Sequence, residues 1–230
     1  MREIRRVPAA HAIAWYAEAM RLWRRGPVAF SLLAFFLLAA NLLLALVPVA
    51  GVVVAQLVLP LLECSLLYAS LAADRGDRPR MRHLIAVLAA TPAAAAAIVF
   101  AGLLIFGLEA VVAQAVGGVD LLAPAANTQS FTGGSLVATY AAGMALSLPL
   151  MFVPFAALFD GARFGEAFAQ SAAAFARNAA PLALFGALSL ALLLLGLLTS
   201  GLGLLLALPW SAAASYAAWK DIFRVDQRRS

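Results

Sequence analysis

The stretch VVVAQLVLPLLECSLLYASLAA, residues 52–73, decides the fold of this chain, and it contains a single charged residue, Glu63. A helix that crosses the hydrocarbon core of a membrane needs about 20 mostly apolar residues. The apolar run is continuous, whereas the strands of a membrane β-barrel alternate apolar and polar residues. The stretch therefore predicts a transmembrane helix.

The rest of the chain repeats this pattern. Five further apolar stretches are long enough to span, at residues 27–47, 92–116, 136–159, 181–200 and 202–219. The 230 residues are 65% hydrophobic and 12% charged, with a mean hydropathy of +0.96, whereas soluble domains are about 45–50% apolar and about 25% charged. A soluble enzyme, a disordered chain and a secreted disulfide scaffold are excluded, and Cys64 is the single cysteine. We predict one all-α membrane domain, residues 1–230, with six spans.

The basic residues predict how these spans are oriented. All 16 lie before the first span, between spans two and three, between spans four and five, or after span six, as follows: Arg2, Arg5, Arg6, Arg21, Arg24, Arg25; Arg75, Arg78, Arg80, Arg82; Arg163, Arg177; Lys220, Arg224, Arg228, Arg229. With six spans these segments share one side of the membrane, and the three opposite loops have no basic residue. The positive-inside rule then predicts that both termini are cytoplasmic.

The spans fall into three similar pairs. The first span of each pair starts near a proline and the second carries Leu-Pro and ends at an aspartate: Pro27, Leu59-Pro60 and Asp74; Pro92, Leu148-Pro149 and Asp160; Pro181, Leu208-Pro209 and Asp221. This predicts three parallel hairpins, at 27–73, 80–159 (with an outer loop at 117–135) and 181–223. The alternative is coincidence, because these residues are common in membrane helices. The aspartates are expected to form interfacial ion pairs or to cap the following helix.

Amphipathic segments precede the hairpins. In residues 8–25, one helix face carries Ile13, Trp15, Tyr16, Met20 and Trp23. In residues 162–178, one face of a second helix carries Phe164, Phe168 and Phe175. Met81, Leu84, Ile85 and Leu88 form a weaker stripe. Such helices lie in the membrane interface or pack on the protein's own bundle. We expect the interface for the first segment and leave both alternatives open for the second.

A family resemblance rests on both ends of the chain. The amphipathic start, with His11, Trp15 and LWRRGP (22–27), and the later segments VPFAALFDG (153–161) and SYAAWKDIF (215–223) resemble a proteobacterial family of six-helix inner-membrane proteins, similar in plan to the YciC-type proteins. The resemblance covers nearly the whole chain. It implies a six-helix fold in the bacterial inner membrane, and it implies no activity and no catalytic residues.

A few polar residues inside the spans are candidates for function. Glu63 lies near the middle of the second span, Gln56 precedes it by seven residues on about the same helix face, and Asn41 in the first span is a possible partner. Carboxyl groups inside membranes are energetically expensive and are functional candidates by default. The alternative for Glu63 is a hydrogen bond to a neighbouring helix or to backbone freed by Pro60. Glu109, near the outer end of the third span, is a weaker candidate, and the alternative is that it simply reaches the membrane interface.

Two functions remain open at this stage. The sequence has no common phosphate-binding, dinucleotide-binding, metalloprotease or serine-hydrolase motif, so we expect no enzyme, cofactor or metal site, and no nucleic-acid partner. Basic flanking residues attract anionic lipid head groups or merely set the topology; the candidate contacts are Arg21, Arg24, Arg25, Arg80, Arg82, Arg177 and Lys220. The first hypothesis is a scaffold or accessory protein that binds lipids or another membrane protein. The alternative is a small transporter or channel that uses Glu63, which a water-accessible cavity reaching Glu63 beside Asn41 or Gln56 would favour.

Overall fold

A computed structural model describes residues 3–47, 49–123 and 130–225, and every regular element in these ranges is helical. Pro48 of the first predicted turn lies outside the described residues, as do residues 124–129 of the outer loop and the terminal residues 1–2 and 226–230. The all-helical prediction is therefore confirmed for the described part of the chain.

The described helices follow the predicted spans closely. They are α1 (His11–Trp23), α2 (Pro27–Ala45), α3 (Ala50–Asp74), a 3-10 helix (Met81–Ala89), α4 (Pro92–Val112) with a π-helical end (Ala113–Gly117), α5 (Gly133–Leu150), α6 (Val153–Phe159), α7 (Phe164–Arg177), α8 (Ala179–Leu198) and α9 (Leu204–Phe223). Pro27 and Pro92 occupy the first turns of α2 and α4, where a missing N–H costs no helical hydrogen bond.

Five of these helices, α2, α3, α4 with its π-helical end, α5 and α8, are long and apolar enough to cross a membrane. The sixth predicted span forms α9, which is 20 residues long. Its second half carries Tyr216, Trp219, Lys220 and Asp221, which lower its apolarity below that of the other five.

Six helices form a ring. In order around it, α2 packs on α3, α3 on α4, α4 on α5, α5 on α8, α8 on α9, and α9 on α2, while α3 also contacts α9 across the ring. The shorter helices lie at the end that carries the basic residues: α1 packs on α9, α8 and α3, and α6 and α7 pack on α4 and on each other. The result is a membrane-length ring with a layer of short helices at its basic end.

The returning helix of the second hairpin is broken, although residues 136–159 were expected to form one span. It divides into α5 and α6 at Met151 and Phe152. Pro149 has no N–H to donate and Pro154 lies in the first turn of α6. The Phe152 N–H instead donates to Ser171 Oγ of α7 at 3.0 Å, so a side chain from another helix stabilises the break.

Helix α1 packs on the bundle through much of its aromatic face, and the expectation of an interfacial face is wrong for Trp15 and Tyr16, which are buried. The Tyr16 hydroxyl bonds with Ser189 Oγ of α8 at 2.6 Å, and its ring stacks on Phe185 at 5.6 Å. Burial raises the pKa of Tyr16. Ile13 remains exposed.

The other two amphipathic segments differ from each other. Helix α7 buries Ala167, Ser171 and Ala174, and its Phe164 and Phe168 contact Phe100 of α4 at 5.6 and 5.8 Å between ring centres. The 3-10 helix buries Val87, while Ile85 and Leu88 are 61% and 78% exposed. Residues three apart share a face of a 3-10 helix, so Arg82, Ile85 and Leu88 form one exposed row.

Two aspartates form the expected ion pairs, one within the ring and one between the ring and the start of the chain. Asp74 Oδ2 accepts from the Tyr216 hydroxyl at 3.0 Å and from Lys220 Nζ at 2.7 Å. Asp221 accepts from Arg5 at 3.1 Å and from Trp15 Nε1 at 3.0 Å, and it lies 2.6 Å from His11 Nδ1. The Asp74 network therefore connects α3 to α9. The Asp221 network connects α9 to α1 and to the residues before α1. The N-cap of α7 is Arg163, so the expected capping of this helix by Asp160 is wrong.

We expect the Lys220→Met variant to lower the free energy of unfolding by about 3 kcal/mol, because it leaves a partly desolvated carboxylate without its ammonium partner. Both side chains of the Asp74–Lys220 pair are only 16% exposed. The measurement is unfolding of the detergent-solubilised protein by sodium dodecyl sulfate. Arg224→Gln is the matched control, since its pair with Glu3 spans 3.6 Å at the surface and is worth less than about 1 kcal/mol. Equal losses in the two variants would contradict the prediction.

Candidate functional site

The helix ring surrounds a partly open cavity of about 590 Å³. Its wall combines residues from all six ring helices and from the Met151–Phe155 region. Most of these residues are apolar, and the polar ones are Asn41, Gln56, Glu63, Glu109, Tyr140 and Ser215. The three residues of the predicted intramembrane site therefore share one cavity, together with the weaker candidate Glu109.

Glu63 lies deep within the bundle and faces this cavity. It is 11 residues before Asp74 at the basic end of α3, which corresponds to about 16 Å along the helix, near the middle of a hydrocarbon core about 30 Å thick. Its side chain is surrounded by protein but retains accessible surface, because that surface belongs to the cavity.

Pro60 shapes the wall next to Glu63. It has no N–H to donate to the Gln56 carbonyl, and its own carbonyl accepts from Cys64 Sγ at 3.3 Å. On the facing helix α4, a Cβ added at Gly102 would lie 2.6 Å from Pro60 Cγ. The absence of a side chain at Gly102 therefore lets α4 approach α3 closely beside the carboxyl group.

Glu109 reaches the cavity from α4 across Gly143 of α5. A Cβ added at Gly143 would collide with the Glu109 carboxyl group, including Oε1. Glu109 is thus folded against the bare backbone of α5, between the two helices, and it lines the cavity beside Tyr140. The outward position expected for Glu109 is not the one observed. A glycine in the facing span is the relevant sequence signal, but one sequence does not reveal which span faces Glu109.

Neither carboxyl group has a hydrogen-bond or ion-pair partner among the described residues. The alternative expectation for Glu63, a hydrogen bond to a neighbouring helix, is therefore not met within the described ranges. Of the described residues that line the cavity, none is Lys, Arg or His. The cavity thus offers two carboxyl groups, two amides and two hydroxyls without a compensating positive side chain.

Five aromatic residues close the basic end of the cavity. This aromatic cluster consists of Tyr68, Phe155, Phe159, Tyr216 and Trp219, with neighbouring ring centres 5.3 to 6.4 Å apart. Along α3 and α9 the cluster residues follow the cavity residues and precede Asp74 and Lys220. Aromatic rings therefore separate the cavity from the Asp74 ion pair.

The opposite end of the cavity extends to the turns between helices. Asn41 and Gln56 flank the turn between α2 and α3, and Leu197 and Leu204 flank the turn between α8 and α9. The turn at Ser200 and Gly201 has positive φ values of 55° and 84°, a conformation that glycine adopts without strain. The cavity is thus closer to this non-basic end.

The candidate lipid-binding residues differ in availability. Arg21 pairs with Glu18 and, at 3.6 Å, with Asp74; Lys220 is enclosed beside Asp74; Arg25 donates to the Ala73 carbonyl and Arg177 to the Ile4 carbonyl. Arg24, Arg80 and Arg82 are exposed.

The neighbourhood of the exposed arginines has a positive potential. Burial, followed by the charges of Arg82 and Arg80, lowers the pKa of His83, and the smaller effect of Asp77 opposes this. The imidazole of His83 is therefore neutral at pH 7, and the positive charge of this surface belongs to the arginines. Of the predicted lipid contacts, Lys220 is the one most withdrawn from the surface, because its ammonium group binds Asp74.

We expect Gly143→Ala to destabilise the protein by about 1–3 kcal/mol, the usual range for overpacking, because the new methyl group displaces the Glu109 carboxyl. Gly107→Ala on α4 is the matched control: a Cβ there meets nothing within 4 Å, and alanine is the better helix former by about 1 kcal/mol. Thermal unfolding in detergent checks both, and a Gly143→Ala variant that gains as much stability as Gly107→Ala would contradict the prediction.

Comparisons of the chain with protein-family models, with curated proteins and with solved structures find no match. The similarity to the six-helix inner-membrane family stays a prediction from the residues quoted above.

Proposed function

We propose that the protein is a small carrier that binds a cation inside the membrane, with Glu63 as the principal ligand and Glu109 as the second. The observation that carries this proposal is the cavity of about 590 Å³ inside the helix ring, which both carboxyl groups face. A partly open cavity that reaches Glu63, with Asn41 and Gln56 on its wall, favours transport over a purely structural scaffold. Intramembrane carboxyl groups of this kind mark ion and proton pathways in membrane proteins.

The proposed carrier has six spans, with α9 as the sixth. Support comes from its length of 20 residues and from its place in the ring between α8 and α2. Its Lys220 and Asp221 have partners within the protein, so these charges need not face lipid. By the positive-inside rule the basic end and both termini lie in the cytoplasm, and the membrane is the bacterial inner membrane. The similarity of the three hairpins makes them parallel repeats.

Exchange at Glu63 provides the chemistry of the carrier. A carboxylate without a positive neighbour is strongly disfavoured in an apolar interior, so it holds either a proton or a cation. A cation that enters displaces the proton from Glu63. When the cation leaves, a proton takes its place on the carboxyl group. The aromatic cluster blocks the path toward the basic end, so cations reach the cavity from the non-basic side and cross when the cluster separates.

This function predicts cation-driven proton movement that requires Glu63. Purified protein is reconstituted in liposomes that contain a pH-sensitive dye, and Na⁺, guanidinium or tetraethylammonium is added outside. We expect at least one of these cations to drive proton release from the liposomes, and Glu63→Gln to reduce the rate at least tenfold, because an amide holds no exchangeable proton.

The control is Glu3→Gln, which removes an exposed carboxyl group far from the cavity and should leave the rate unchanged. Thermal unfolding shows that each variant is folded. If none of the three cations moves protons, or if the Glu63→Gln variant is as fast as the original protein, the carrier function is wrong.

A second candidate function, an accessory protein that binds anionic lipids, is favoured by the exposed row Arg82, Ile85 and Leu88. This row places two uncovered apolar side chains next to a guanidinium group, and Arg80 lies exposed beside it. Apolar residues bordered by arginine suit the head-group region of a membrane. The two functions are compatible because the row and the cavity are separate.

The lipid function predicts that Arg80→Gln combined with Arg82→Gln weakens binding of phosphatidylglycerol. Each arginine near an anionic surface contributes about 1 kcal/mol, so the double variant should lose roughly 30-fold in affinity. The measurement is titration of the protein in detergent with short-chain phosphatidylglycerol, with phosphatidylcholine as the uncharged-surface control. Equal losses for both lipids would indicate a structural defect and would contradict the assignment.

A further inference from the structure

We infer that the cavity binds an amphiphilic organic cation, whose positive group lies between Glu63 and Glu109 and whose apolar body lies against the leucine and aromatic wall. This inference names the ligand class of the proposed carrier and rests on the proposed cation binding. The negative charge of the site would suit organic cations and hydrated metal ions alike, whereas the apolar wall distinguishes between these two classes of ligand.

The electrostatics of the wall select a cation. Glu63 and Glu109 face the cavity, and no lysine, arginine or histidine belongs to its described lining. Glu63 has its accessible surface toward the cavity and has no hydrogen-bond partner among the described residues. An unpaired interior carboxylate is strongly disfavoured, so an ionised Glu63 requires a counter-ion that comes from outside the chain.

The rest of the wall selects an organic ligand. Hard metal ions prefer six or more oxygen ligands in a compact shell, whereas most of this wall consists of carbon. A volume of about 590 Å³ lies within the range of 300–1,000 Å³ that is typical for sites of drug-sized molecules. Such a cavity, lined by leucines with a few polar groups, buries an apolar body and orients it through its charged end.

Three aromatic side chains on the wall favour the same class. Phe106 is within one turn of Glu109 on α4, Tyr140 is within one turn of Gly143 on α5, and Phe155 lies where the cavity meets the aromatic cluster. Aromatic faces attract organic cations, and quaternary ammonium groups are recognised in this way. The carboxyl groups and the aromatic rings thus attract the same positive group, and the leucines pack against the apolar remainder of the ligand.

Two probes of the same shape and opposite charge test this inference: tetraphenylphosphonium and tetraphenylborate. Equilibrium dialysis of the full-length protein in detergent measures the binding of each, with protein-free micelles as the blank. We expect tetraphenylphosphonium to bind at least tenfold more tightly than tetraphenylborate and than guanidinium, which lacks an apolar body. Glu63→Gln should reduce tetraphenylphosphonium binding at least tenfold, and Glu3→Gln should leave it unchanged.

A cavity-filling variant keeps the test decisive if Glu63→Gln does not fold. Ser215→Phe adds bulk to the wall while retaining both carboxyl groups, and we expect it to abolish tetraphenylphosphonium binding. Equal binding of the two probes, or tighter binding of guanidinium, would overturn the inference. If cations still drive proton flux in that case, the carrier function remains supported. If no probe binds and no flux occurs, the proposed function itself is wrong.

Discussion

An ionisable group is tolerated inside a bilayer only when it is paired, hydrogen-bonded or uncharged, and the arrangement of these helices depends on that constraint. Helix α9 is the clearest case. It carries Lys220 and Asp221, yet the ammonium group binds Asp74 of α3, and Asp221 binds Arg5, Trp15 and His11. A helix with these charges fits into the ring because α1, α2, α3 and α8 surround it. The least apolar helix of the ring is therefore also the most enclosed.

For the short helices, the sequence predicts an amphipathic helix but does not predict which surface covers its apolar face. The period of Trp15, Tyr16 and Met20 correctly identifies an amphipathic helix, since α1 extends over His11–Trp23. Periodicity defines an apolar face but does not identify what covers it. The partner of Trp15 Nε1 is Asp221, 206 residues away, and the partner of the Tyr16 hydroxyl is Ser189. Such distant pairs leave no local signal. At the break, the prolines at 149 and 154 are a local signal, but the hydrogen bond from Phe152 to Ser171 that stabilises it is not.

The cavity residues were partly predictable because polar groups are rare within these spans. Helix position groups Glu63 with Gln56, polarity within the first span adds Asn41 as a possible partner, and all three lie on the cavity wall. Glu109 was expected to reach outward because it lies close to the end of its span, but the bare backbone at Gly143 lets it fold inward against α5. The aromatic cluster was missed altogether. Its five members come from α3, α6 and α9, and nothing local in the sequence shows that these three helices meet.

Neighbouring residues of α9 connect the cavity to the polar network. Ser215 lines the cavity, whereas Tyr216 belongs to the aromatic cluster and donates to Asp74. In the proposed carrier, a ligand that displaces this turn of α9 also disturbs the cluster and the Asp74 hydrogen bond. Pro209 in α9 and Pro60 in α3 precede the cluster and interrupt helical hydrogen bonding, and prolines are common points of helix bending. In the proposed carrier, these two prolines are the points at which α3 and α9 would bend to separate the segments that carry the aromatic cluster.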